Sequence, residues 1–255
     1  MTRHALRPTL SRRNLLQAAG AAAFLPAATP AAAIPGPRAE GRDTPKICLG
    51  AGDGGTDEAG LRRVKQLGVD HVLMGGPPIP WQESDLRARL ERFKAGGLAL
   101  GNLMIAGFPN AIYGRPGRDE EIEKVRQSIR AAGRAGLPVV EYNFYAHRIV
   151  EGYYEETGRA GAGLTAFDYE RVKDLPPLPE EGAHSLDEMW ANVTYFLKAV
   201  VPVAQESGVR LALHPNDPPA PLSRGSGQIM GNLAGWKRLV DIVPSPANGS
   251  KMTSF

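Results

Sequence analysis

From Lys46 onward the chain alternates short apolar runs with amphipathic ones, and this rhythm narrows the fold more than any other feature. Residues 46–50, 71–74, 98–105, 139–144 and 210–213 are short and apolar, with Gly or Pro close by, as strands covered on both faces are. The segments between them carry helical spacing. Leu61, Val64 and Leu67 share one face of residues 57–67, and Ser84 is placed to cap a helix that turns Leu86, Leu90 and Phe93 inward. Residues 120–135 line up Ile122, Val125 and Ile129. Ser185 and Glu188 form a capping box, opening a helix with Met189, Val193, Phe196, Leu197 and Val200 on its inner side, and residues 233–243 supply a fifth helix. Strict strand–helix alternation predicts an α/β fold with a parallel sheet covered by helices. The sheet can be doubly wound or curl into part of a barrel. The Gly-rich residues 50–55 do not match the G-x-G-x-x-G dinucleotide fingerprint, which favours an incomplete (βα) barrel.

The ends of the 255-residue chain read differently from its middle. Arg3, Arg7, Arg12 and Arg13 give a basic start without a carboxylate, and residues 11–16, SRRNLL, resemble a twin-arginine export motif. An Ala-rich stretch follows, too short to span a bilayer, and Ala31-Ala32-Ala33 offers an A-x-A-like cleavage site. Residues 1–34 are therefore expected to be an export signal leading to the periplasm or beyond. Residues 35–45 read as a linker, and residues 46–255 as a partial barrel with an insertion at 145–183. Without the four arginines of the leader the formal charge of +3 falls to −1, so net charge favours neither nucleic acid nor an anionic membrane. A single cysteine, Cys48, excludes an internal disulfide and is expected to be a small apolar core residue.

The chemistry-bearing residues gather where strands end. Residues 211–219, LALHPNDPP, take an apolar strand into His214 and then into a loop stiffened by prolines around Asp217. In βα barrels the carboxyl ends of the strands form the binding face. A histidine there is either a satisfied polar residue or a ligand. Glu141, Asn143 and Tyr145 alternate along another strand and share a face, which leaves Tyr142 and Phe144 to pack against helices. Asn143 can donate to a substrate hydroxyl or carboxylate, or satisfy a loop. Glu141, deeper, needs a partner, because an unpaired buried carboxylate is costly. Arg148 presents a planar fork suited to a carboxylate, with a solvated loop arginine as the alternative. His71 starts its strand at the opposite end, and His184, before a helix cap, is expected to be exposed. The insertion carries Tyr153, Tyr154, Arg159, Phe167 and Tyr169 and suits a lid, an oligomer contact or a plain surface excursion.

His214-Pro215-Asn216-Asp217-Pro218-Pro219, Tyr142-Asn143-Phe144 and Ser245-Pro246-Ala247-Asn248-Gly249 together resemble the mannonate dehydratase family, xylose-isomerase-like barrels of the TIM type, over residues 46–249. The resemblance implies a hydro-lyase that converts D-mannonate to 2-dehydro-3-deoxy-D-gluconate in glucuronate breakdown. It also implies Mn²⁺ or Fe²⁺ held by histidines, a cysteine thiolate and an aspartate. Of these ligands only one maps here, onto His214. Asn143, Arg148 and Asp217 fall where the sugar acid would be bound, and no catalytic acid or base is assigned. After Gly249 the chain departs from the family pattern and no cysteine follows. It reads as a truncated or frame-disrupted member with about five of the eight βα units of a full barrel. Such a chain is expected to bind the ion weakly and to associate through exposed strand edges, as a homo-oligomer or aggregate. The alternatives are a sugar isomerase or epimerase of the neighbouring barrels, or an inactive sugar-binding fragment.

Overall fold

The computed structural model describes residues 44–52 and 56–250, for Ser250 the backbone alone. The export motif, its cleavage site, residues 53–55 of the Gly-rich loop and residues 251–255 lie outside the described residues.

Strand β1 (Cys48–Gly50) leads through α1 (Glu58–Gln66) to β2 (His71–Gly75), and α2 (Glu83–Ala95) leads on to β3 (Ala99–Ile105). A short α3 (Pro109–Tyr113) and a long α4 (Arg118–Ala135) precede β4 (Val139–Tyr142). The insertion then folds as a hairpin of β5 (Tyr153–Thr157) and β6 (Gly163–Phe167). Helix α5 (Leu186–Glu206) returns the chain to β7 (Arg210–Leu213). A two-residue ribbon, β8 (Leu222–Ser223) with β9 (Ser226–Gly227), leads to α6 (Leu233–Ile242) and β10 (Asn248–Ser250). The main sheet runs β1-β2-β3-β4-β7-β10, and every neighbouring pair is parallel. That consecutive order, with no switch point, is the order of an unclosed (βα) TIM-type barrel and not of a doubly wound sheet.

Local chemistry explains most boundaries. Asp57 caps α1 by accepting from the Gly60 amide at 2.6 Å. At α5 the reciprocal box is complete: Ser185 Oγ accepts from the Glu188 amide, and Glu188 Oε2 accepts from the Ser185 amide. Asn232 caps α6. Helices α4 and α5 end against each other so closely that a Cβ on Gly133 would sit 2.4 Å from the Ser207 carbonyl oxygen, a position only glycine can fill.

Five expectations need correction. Helix α2 starts at Glu83 after Gln82, so Ser84 lies inside its first turn and does not cap it. Leu67, at the C-cap of α1, is 70% exposed and leaves the apolar face to Leu61 and Val64. Cys48 is half-buried and stands outside the main core. His184 is partly buried, its ring stacked on Tyr113 with centroids 5.3 Å apart. The exposed edge shifts as well: the five βα units stand as expected, but the described residues add a sixth parallel strand. β10 pairs Asn248, Gly249 and Ser250 with Leu211, Ala212 and Leu213, so the β7 edge is covered and only β1 and β10 lie outermost. The motif that delivers this strand has a structural task. Asn248 Nδ2 donates to the Leu239 and Val243 carbonyls at the end of α6, and Ser245 Oγ accepts from the Ala247 amide.

One face of the sheet is covered by helices. Val72, Leu100, Leu103, Ile105, Val140, Tyr142, Leu211 and Leu213 are all buried in that layer. The parity of β3 changes between Leu100 and Leu103, where its register against β2 slips at Val72/Leu73. This bulge keeps the leucines on the helix side and turns Asn102 to the opposite, concave face. No helix among the described residues is long and apolar enough to cross a membrane.

Candidate active site

Three adjacent strands bring one polar group each to the concave face. Glu141, the penultimate residue of β4, is 1% exposed. Its Oε2 accepts from Asn102 Nδ2 at 2.5 Å, and its Oε1 lies 2.6 Å from His214 Nδ1. Two of the partners that a buried carboxylate requires are thus in place. His214 sits one residue beyond β7, and its amide extends the ladder by donating to the Tyr142 carbonyl at 2.9 Å. Its half-buried ring meets no hydrogen-bonding partner at Nε2 among the described residues.

Asn143 follows directly after β4, which ends two residues earlier than the apolar run of residues 139–144 predicts. Its Nδ2 points at Met104 Sδ, 3.3 Å away, and its Oδ1 is buried without a partner among the described residues, as is Asn102 Oδ1. Two buried carbonyl oxygens therefore await donors beside the Glu141–His214 pair. Tyr142 and Phe144 face the helices as the strand period requires, both packed on Phe196 with centroids 5.5 Å away. Complete burial raises the Tyr142 phenol far above its ordinary range, so it serves packing and not proton transfer.

The loop after His214 is held from behind. Asn216 Oδ1 accepts from the Met230 amide at 2.6 Å, and Gln228 Nε2 donates to the Ala220 carbonyl at 2.9 Å. At its outer side Arg148 and Asp217 meet each other. Arg148 Nη2 donates to Asp217 Oδ2 at 2.9 Å and Nε to the Asp217 carbonyl at 3.2 Å, while the Tyr153 hydroxyl donates to Oδ1 at 2.5 Å. Burial raises the phenols of Tyr145 and Tyr153, and for Tyr153 the hydrogen bond to Asp217 adds to the shift. His147 lies apart from this pair, between Glu151 and Glu181 at 3.1 Å from each. Burial pushes the Glu151 carboxyl up, but a backbone hydrogen bond, Arg224 and His147 together outweigh it and hold the group below its usual value. His147 and Arg224 thereby clamp the two ends of the insertion.

The structure thus places Asn143 and His214 on the concave face, and Arg148 and Asp217 as a pair at its rim. Asn102, Asn216 and Gln228 escaped the sequence reading. A lone amide beside a glycine inside an apolar strand was the available signal for Asn102. Among the described residues no group of three or more His, Cys, Asp or Glu side chains is placed to hold a metal ion.

Comparison with known proteins adds the decisive observation. The family model described as D-mannonate dehydratase (UxuA) matches residues 51–254, and every side chain named above on the concave face and its rim falls within that match. The chain belongs to this family. A mannonate dehydratase of Streptococcus equi subsp. zooepidemicus is 29% identical in an alignment of 231 residues that covers 77% of this chain and 62% of that protein. One of Geobacillus thermodenitrificans is 32% identical in an alignment of 236 residues that covers 78% of this chain and 63% of the relative. The crystal structure of a mannonate dehydratase from Streptococcus suis serotype 2 superposes with a TM-score of 0.70 at 26% identity, over 80% of this chain and 62% of that one. The chain therefore spans somewhat less than two thirds of the length of these mannonate dehydratases.

Proposed function

We propose that this chain carries the carbon–oxygen lyase chemistry of its family, the dehydration of D-mannonate to 2-dehydro-3-deoxy-D-gluconate in glucuronate breakdown. The observation that supports it best is the Asn102–Glu141–His214 arrangement at the carboxyl ends of three neighbouring strands, inside the residues that the family model matches. His214 fits a metal-binding role, because its Nδ1 is backed by a buried carboxylate and the Nε2 of its partly buried ring has no partner among the described residues. The ion we propose is Mn²⁺ or Fe²⁺, which when bound stabilises the charge that develops as the proton beside the carboxylate leaves. The described residues contribute His214 alone to that ion, and the other ligands are unassigned.

The remaining side chains bind and orient the sugar acid. The carbonyl oxygens of Asn102 and Asn143, unpaired among the described residues, accept from sugar hydroxyls. Arg148, whose side chain is half exposed, offers its remaining N–H groups to the substrate carboxylate, and Asp217 aligns that guanidinium. The experiment is a calorimetric comparison at saturating Mn²⁺. D-Mannonate is expected to bind at least about tenfold more tightly than uncharged D-fructose, the factor that one charge-assisted contact supplies. His214→Ala is expected to remove the Mn²⁺ dependence, and 2-keto acid should form from mannonate only with His214 intact. Preference for the uncharged ketose would replace this reading with isomerase or epimerase chemistry. Binding without keto acid would leave a sugar-binding fragment.

We also propose that residues 1–34 direct export to the periplasm, that residues 35–45 link them to the barrel at residues 46–255, and that copies associate through the β1 edge, where Ile47 is 80% exposed. Changing Arg12 and Arg13 together to lysine preserves charge and removes the guanidinium pair. The precursor should then accumulate in the cytoplasm, measured by fractionation and blotting. Undiminished periplasmic protein from the double variant would dismiss the twin-arginine reading.

A further inference from the structure

We infer that Glu141 is a positioning residue for His214: anchored by Asn102, its carboxylate accepts a hydrogen bond from the imidazole Nδ1–H and so leaves the proton off Nε2, whose lone pair meets no partner among the described residues. The geometry is built from three strands. The bulge in β3 turns Asn102 toward β4, the period-2 alternation of β4 turns Glu141 toward the same face, and the hydrogen bond from the His214 amide to the Tyr142 carbonyl fixes where that ring begins. An ionised carboxylate only accepts hydrogen bonds. At 2.6 Å from Nδ1, the charged form of Glu141 therefore requires the proton on that nitrogen. The other oxygen is taken by the Asn102 amide, so neither oxygen is left to rotate toward a substrate.

This placement also separates Glu141 from the groups that do the chemistry. At 1% exposure, with each oxygen engaged, it is withdrawn from a sugar in the concavity and acts through the ring in front of it. A neutral histidine with its second nitrogen held by a carboxylate is the form in which imidazole binds metals best. The link to metal rests on the function proposed above, whereas the effect on the ring does not depend on it.

The test reads the ring directly. The chain has five histidines, so protein labelled with ¹⁵N-histidine gives a spectrum in which His214 is assigned by its loss in His214→Gln. Spectra are recorded across a pH series, and the tautomer is read where the nitrogen shifts of His214 no longer change with rising pH. Long-range proton–nitrogen correlations then tell the two tautomers apart. Wild-type His214 should be in the Nδ1–H form by at least about tenfold, the factor expected of a charge-assisted hydrogen bond. Glu141→Gln should bring that ratio down about tenfold, and the milder Asn102→Ala should give a smaller decrease in the same direction. Mn²⁺ affinity should fall about 10- to 100-fold in Glu141→Gln. A wild-type His214 in the Nε2–H form would overturn the inference before any variant is made, as would an unchanged ratio in folded Glu141→Gln. Should the ring behave as expected while wild-type protein fails to bind Mn²⁺, the metal assignment falls and the role of Glu141 stands.

Discussion

Truncating Phe196 to alanine is expected to lower the unfolding free energy by about 3–5 kcal/mol, most of the margin that a domain of ordinary stability, about 5–15 kcal/mol, possesses. The ring is 1% exposed and lies where the helix layer meets β4. It stacks on Phe108 with centroids 5.2 Å apart and meets Tyr142 and Phe144, each at 5.5 Å. Deleting it removes a large buried apolar surface and leaves a cavity between rigid rings that cannot close over it. Phe196→Leu refills most of the volume and should cost much less. Urea unfolding monitored by circular dichroism checks both, with the midpoint moving and the slope unchanged. A loss below about 1 kcal/mol for the alanine variant would mean that the layer repacks freely. The site should feel the change too. Tyr142 and Phe144 alternate with Glu141 and Asn143, so slack in the helix layer is passed to the two residues that face the concavity.

That alternation also marks how far the sequence could be read. The order of the units was legible because each strand of a parallel sheet is a short apolar run and each crossover helix has its own period. The capping box at Ser185 and the placement of His214 at a strand end follow from local chemistry alone. Other features depend on partners distant in sequence. Asn102 looks like an interruption in an apolar strand, and only a register slip against β2 aims it at Glu141. The sixth strand is three small or polar residues, Asn248, Gly249 and Ser250, whose extended form comes from pairing with β7 and carries no hydrophobic signal. Leu67 has helical spacing but falls past the last helical residue, where the chain turns away from the core. Arg148 and Asp217 were each read as substrate groups, and nothing local shows that residues 69 positions apart neutralise each other.

Their pairing leads to an expected outcome for Asp217→Ala: the β5–β6 hairpin loses order while the main sheet keeps it. The Asp217 carboxylate accepts from Arg148 Nη2 and from the Tyr153 hydroxyl, tying the start of the hairpin to the loop that follows His214. Hydrogen bonds to a charged acceptor contribute about 1.5–3 kcal/mol each, and the half-exposed Arg148 delivers less than that. A combined loss of about 2–3 kcal/mol corresponds to amide exchange about 30- to 150-fold faster across residues 153–167. Exchange should go no further than that, because Phe167, Tyr169 and Leu175 still pack on Ile149, Val172 and Ala220. Tyr153→Phe removes one bond and should give a smaller acceleration. High pH should act as Tyr153→Phe does. Burial, then the hydrogen bond to Asp217, raises the Tyr153 phenol above its ordinary 10.0, so its contribution is whole below that value and is lost as pH rises through the raised one. Unchanged hairpin exchange in Asp217→Ala would show that the small apolar cluster alone holds the hairpin. The variant also separates two roles that the wild type joins. A sugar acid that engages the full fork of Arg148 must take it from Asp217, so in Asp217→Ala a carboxylate should still find Arg148 even though the hairpin above it has come loose.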